Sequence, residues 1–210
     1  MDTPLVNASP AADPGSAPLG RALDALGTLE RLDAVAAPLA SAIRSLPVGD
    51  ARDALRGTWL GHPLHPALVQ VPIGCWTSAA VLDLVPHEGR AATGLVALGL
   101  LGAVPSNAAG WVDWAELPPA QQRTGLVHAA SNVTAILLYS ASLLARLRGH
   151  GFRGRALGWA GLTVATVGGI IGGHLAHATF PDAAADPDTA GRASADGRLR
   201  DASVPASGAA

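Results

Sequence analysis

The residues of this chain best suited to chemistry are its histidines, seven in all, with five in three short stretches. His62 and His65 stand in "WLGHPLHPALVQVPIG", His128 in "GLVHAASN", and His174 and His177 in "GGHLAH". Neutral imidazole nitrogens from different helices are the donors that haem iron, copper and zinc take, so one reading makes these five a ligand set for haem b or a transition-metal ion. Asp113 and Glu116 add carboxylates that can orient an imidazole N–H or supply an oxygen ligand, Asp113 being the candidate for the metal itself. The competing reading makes each histidine an interfacial anchor or hydrogen-bond partner, and His62 and His65 both precede prolines, as such residues can at a membrane boundary.

The elements that must position these side chains are legible from where charge is missing. Four stretches lack Asp, Glu, Lys and Arg: 57–82, 91–112, 124–145 and 156–181. Each holds the roughly 20 apolar residues that cross about 30 Å of hydrocarbon at about 1.5 Å per residue. Charged connectors separate them, "DLVPHEGR", "DWAELPPAQQR" and "RLRGHGFRGR", short enough to make neighbouring helices antiparallel. The fold expected is all-α: an integral membrane up-and-down four-helix bundle at 57–181. A soluble bundle would need a polar stripe on each helix, and "LVALGLLGAVPSNAAGW" has no charged face. Threading up and down puts all five histidines at the end where the first helix begins, side A, with His87 and His150 in the opposite loops. Trp59, Trp111 and Trp114 at side A and Trp159 at side B fit an aromatic belt, whereas Trp76 falls mid-helix. Pro105 and Asn107 predict a kink in the second helix, and Asp83 is expected to pair with Arg90 or Arg146.

Ahead of the bundle, leucines recur at three- and four-residue steps through 19–56, an amphipathic helical segment with interruptions at Gly27 and Pro38. Its other face mixes Arg21, Asp24, Glu30, Arg31, Asp33 and Arg44; not being basic, it favours packing on the bundle or a partner helix over anionic lipid. The tails, 1–18 and 182–210, are rich in Ala, Pro, Ser, Gly and Asp and are expected to be disordered. The first residues carry no basic, apolar signal pattern, so insertion is expected to be driven by the helices. A net charge of −2 and no basic run exclude nucleic acid as a partner, and a single cysteine excludes an intrachain disulfide or a cysteine-ligated cluster. No hydrolase, kinase or nucleotide-binding motif occurs, so any activity is expected to be electron transfer.

The segments "GTWLGHPLHPALVQVPIGCWTSAAVLDL", "VPSNAAGWVDW", "GLVHAASNVTAILLYSASLLARLRG" and "GGIIGGHLAH" resemble the bacterial domain of unknown function 2231 family, from about Leu55 to His177. The resemblance implies a four-helix membrane protein without an established activity, similar to the membrane part of some Rieske-domain fusion proteins. The tail here holds no Rieske ligands, which leaves a separate Rieske-type ferredoxin as the kind of redox partner implied. Relatives often carry histidine where this chain has Gln70, and an aromatic where it has His177. Resemblance and threading together narrow the primary ligands to His65, His128 and His174, with His62 and His177 as reserves.

The arginines of "RLRGHGFRGR" make loops 86–90 and 146–155 the cytoplasmic side of a bacterial inner membrane. The function expected is a redox-associated, multi-pass membrane protein with a histidine cluster at one face. The alternative is a cofactor-free scaffold or anchor that assembles a partner protein in the lipid.

Overall fold

The computed structural model describes residues 18–179. Apart from Pro18, which opens the first helix, the two tails read as disordered lie outside the described residues. Among the described residues the protein is all-α, in eight α-helices: α1 Pro18–Asp24, α2 Asp33–Ser45, α3 Asp50–Arg56, α4 His65–Leu68, α5 Gln70–Leu82, α6 Gly89–Trp114, α7 Pro119–Leu147 and α8 Gly151–Thr179. Short 3₁₀ turns join the early ones. Residues up to His174 form one compact unit, and α8 continues beyond it to Thr179.

Three helices, α6, α7 and α8, are long and apolar enough to cross a membrane. Their surfaces agree. Large aliphatic side chains stand on the outside at helical spacing, Leu101 68%, Val104 69% and Leu137 64% exposed, while the buried positions of α6 are mostly small: Ala92, Gly99, Ala103, Ser106 and Ala109. A soluble bundle inverts that arrangement, whereas in lipid small residues line helix contacts because close approach, not water exclusion, holds helices together.

The first rod is shorter than the charge-free stretch suggests. Residues 57–64 form turns through Gly57 (φ 73°) and Gly61 (φ 78°), and the helix begins only at His65. Pro66 is tolerated in its first turn, where no N–H is needed, but Pro72 cannot donate to the carbonyl of Leu68, and the helix breaks at Val69. From His65 to Leu82 the rod still spans about 27 Å at the helical rise. By contrast Pro105 leaves α6 unbroken; Asn107 donates Nδ2–H to the carbonyl of Ala103 at 2.6 Å, not to that of Leu101, which Pro105 deprives of its helical donor.

Glycines set the register. Trp76, Val71 and His65 lie against Gly99, Gly102 and Gly110, which makes α4–α5 antiparallel to α6; Arg146, Tyr139 and His128 lie against Gly154, Gly161 and Gly172, which does the same for α7 and α8. The rods therefore alternate in direction. Between α5 and α7 the core holds a stack of Trp76 on Tyr139, ring centroids 4.1 Å apart and 13° from parallel. Trp76 is thus a core residue, which explains its mid-helix place. Beyond the stack Arg146 holds Asp83 through two bonds of 2.8 and 2.5 Å, with side chains only 5% and 3% exposed.

The N-terminal segment packs on the side A end of the bundle. Ala36 and Ala40 of α2 are buried against Trp114 and Ala115. Trp114 is itself buried, donating Nε1–H to the carbonyl of Gln122 at 2.9 Å, so it serves this contact and not the aromatic belt. Gly27 lies in the 3₁₀ turn that interrupts the segment, in ordinary contact with Ala120, and Pro38 is absorbed within α2. Three residues of the mixed polar face, Asp24, Asp33 and Arg44, reach the bundle. Arg44 bonds the carbonyl of Ala115, Asp24 meets His174, and Arg123 grips Asp33 at 2.7 and 2.6 Å while donating to the carbonyl of Gly27 at 2.9 Å.

Two predictions follow from this packing. The Arg123 hydrogen bonds hold the Asp33 carboxyl below its ordinary value of 3.8. A depressed carboxylate stabilises the fold fully above its unfolded pKa and ceases to as pH falls through its folded one. Docking of α2, followed by Trp111 and Trp114 fluorescence, should therefore be flat from pH 7 to 5 and weaken only below about pH 4; Asp33→Asn should be weakened throughout. Secondly, the Trp76 Nε1–H and the Tyr139 hydroxyl are buried without a hydrogen-bond partner among the described residues. Because an unmet buried hydroxyl costs about 1–3 kcal/mol, Tyr139→Phe should melt at or above the wild-type temperature, while Tyr139→Ala should lose about 3–5 kcal/mol with the ring.

Candidate functional site

His65 and His128 are the histidines that the fold brings together. Their ring centroids lie 6.2 Å apart with planes at 85°. Each ring is pinned by its own neighbour helix: His65 Nδ1 lies 2.8 Å from the carbonyl oxygen of Ser106, and His128 Nδ1 lies 2.8 Å from that of Gly168. A carbonyl only accepts, so both rings are Nδ1–H tautomers that keep their lone pair on Nε2. Glycines behind the rings make room for them. A methyl at Gly110 would come within 2.8 Å of His65 Nδ1, and one at Gly172 within 2.7 Å of His128 Cε1.

The pair belongs to a repeat that the linear reading missed. His65, Trp76 and Asp83 on the first rod face His128, Tyr139 and Arg146 on the third, each partner 63 residues further on, as for the ion pair. The helices behind them repeat as well: "GLLGAVPSNAAG" from Gly99 and "GLTVATVGGIIG" from Gly161 share both terminal glycines, the leucine and the alanine. The carbonyls that receive the two imidazoles, those of Ser106 and Gly168, are equivalent positions in this repeat. Two helical hairpins thus meet about a pseudo-two-fold axis along which three tiers of equivalent residues pair: imidazole with imidazole, indole with phenol, acid with base. The repeat runs at an offset of 63 residues for the facing rods and 62 for the helices behind them, and identity is low, with an indole against a phenol and an acid against a base.

Between the first two tiers lies a cavity of about 50 Å³, lined by His65, His128, Trp76, Ser106, Asn107 and Asn132 with apolar side chains around them. That is room for an ion or a few waters. Asn132 donates Nδ2–H to His128 Nε2 at 2.9 Å. Asp113 follows Gly110 by one turn on α6, half-buried and near enough to His65 and Arg56 for their charges to act on it.

The other sequence-nominated ligands lie elsewhere. His62 is exposed, its Nδ1 3.2 Å from the carbonyl of Pro63. His174 follows Gly172 by two residues, about 200° around the helix at 100° per residue, so it faces away from His128. Its Nε2 meets Asp24 at 3.1 Å. His177 is exposed in the part of α8 beyond the compact unit. Among the described residues no three of His, Cys, Asp and Glu are grouped to hold a metal ion, so any centre here rests on two imidazoles with amide, carboxylate or water oxygens.

The cradle gives a prediction of its own. Long-range ¹H–¹⁵N correlation spectra should show both rings as Nδ1–H tautomers near neutral pH; Gly172→Ala should disturb His128 and leave His65 unchanged, and an Nε2–H tautomer at both would contradict the geometry.

The model of a family described as a predicted membrane protein, DUF2231, matches residues 61–178. No curated protein and no solved structure matches the chain.

Proposed function

The chain belongs to the DUF2231 family of predicted membrane proteins, and on that footing we propose that its His65–His128 pair ligates one transition-metal centre within the side A half of the bundle. The observation that carries the reading is the pinning of both Nδ1–H groups to backbone carbonyls. Protein ligands to metals are commonly held this way, the outer nitrogen donating to a carbonyl while Nε2 faces the metal. Pairing of equivalent residues across the repeat supports it, since a ligand on a pseudo-symmetry axis needs one such imidazole from each half.

The size of the cavity favours a bare ion over haem b. At about 50 Å³ it is far below the roughly 300 Å³ at which pockets for drug-sized ligands begin, so a porphyrin would require the helices to part. Asn132 would have to release His128 Nε2 for either. An iron or copper ion held there supplies one-electron chemistry. Trp76 lines the inner side of the cavity, and the carbonyls of Ser106 and Gly168 hold the two rings in place over Gly110 and Gly172. In this reading the protein is an electron-transfer component of the bacterial inner membrane, loops 86–90 and 146–155 are cytoplasmic, and a soluble redox protein meets side A.

The test is metal analysis with oxidised and reduced absorption spectra, on detergent-purified protein and again after incubation with iron, copper and zinc salts. A near-stoichiometric ion should be found, lost in His65→Ala and His128→Ala and retained in His174→Ala, with melting curves to show that each variant folds. A haem band at stoichiometry would replace the bare ion with haem b. Wild-type protein holding neither would overturn the ligand role and leave the scaffold as the function.

A further inference from the structure

The far end of the bundle carries a second cavity, of about 560 Å³, between the first turns of α6 and α8 and the end of α7. Arg90 and Arg155 line it with His87. Arg146 and Asp83 line it too, but they neutralise each other as a buried ion pair, and Glu88 lies outside the lining. Arg90 and Arg155 differ from the arginines that build the fold. Arg44, Arg52, Arg123 and Arg146 each donate to a carbonyl or a carboxylate, whereas Arg90 and Arg155 make no hydrogen bond or ion pair among the described residues. The cavity therefore holds two uncommitted guanidinium groups, and the positive ends of two long helix dipoles, α6 and α8, open beside it.

We propose that this cavity binds the phosphate of an anionic phospholipid headgroup. Guanidinium groups suit phosphate because their planar fork donates to two oxygens at once. The surroundings select a lipid as the source. The cavity sits where the apolar spans end; Leu147 (71% exposed) lines it, and Leu84 (71%) and Phe152 (85%) each follow a lining residue, Asp83 and Gly151, in the chain, which supplies apolar surface beside which acyl chains can lie. A free phosphate would need no such surface. Basic pockets at the ends of membrane helices are a known way of reading anionic headgroups. The inference is independent of the metal site at side A.

The full-length protein in mild detergent is the sample, with phosphatidylglycerol as the probe, phosphatidylcholine as the neutral control and inorganic phosphate as a separate arm. Phosphatidylglycerol should raise the melting temperature and appear as one retained lipid by native mass spectrometry. In the double variant Arg90→Gln/Arg155→Gln, roughly 30-fold more lipid should be needed for half the shift, the loss expected for two arginines near a headgroup. Arg148→Gln/Arg153→Gln, an equal change of charge outside the lining, should respond like wild type. If the first double variant does not fold, Arg155→Lys, which keeps the charge and loses the fork, should weaken retention. Equal responses of the two double variants, or no preference for phosphatidylglycerol over phosphatidylcholine, would overturn the site; an identical shift from inorganic phosphate alone would overturn its assignment to lipid.

Discussion

Close approach of antiparallel helices over glycine is the constraint on which the rest of the molecule depends. In lipid the hydrocarbon is as apolar as any leucine, so helices gain by touching only where small residues let backbones come near. Gly99, Gly102 and Gly110 provide this for the first hairpin, and Gly154, Gly161 and Gly172 for the second. A large side chain from the facing helix lies over each. The imidazoles are held within hydrogen-bond reach of backbone carbonyls because the glycines one turn from those carbonyls let the rings in.

Polar groups inside such a bundle have no water to fall back on, and each unmet one costs several kcal/mol. The tiers between α4–α5 and α7 meet that demand unevenly. At one end Asp83 and Arg146 neutralise each other through two bonds; at the other the two histidines spend their N–H on carbonyls and keep a lone pair each. The middle tier is apolar stacking with two donors left over, on Trp76 and Tyr139. A buried ion pair is weak evidence for stability, since apolar residues of the same shape often do as well. Its place here, equivalent by repeat to the histidine pair, makes it a register mark that fixes how the hairpins align.

Helix existence was legible in the sequence because a charge-free run of such length has few other uses, and α6, α7 and α8 follow those runs to within a few residues at most ends. The first rod was misjudged at its start, where Gly57, Gly61 and Pro63 favour turns that mean hydropathy does not register. The convergence of histidines was legible only in part. Up-and-down threading fixes the level of a residue but not its azimuth, and azimuth separates His174 from His128. The information was present in Gly161, Gly168 and Gly172, whose spacings of seven and four mark the stripe of α8 that faces α7, two residues out of phase with His174. For the amphipathic segment the sequence left open the bundle or a partner helix; it packs on the bundle, where Asp24, Asp33 and Arg44 find partners that only the tertiary structure supplies.

The account turns on a two-membered imidazole pair on the pseudo-symmetry axis, distinct from a broader histidine cluster. Dipolar-recoupled solid-state NMR of ring-labelled protein in lipid bilayers, with signals assigned through single histidine variants, measures that juxtaposition directly. A contact between the rings of His65 and His128, with none from either to His174, is the predicted result. A contact joining His128 to His174, or no contact between His65 and His128, would contradict it.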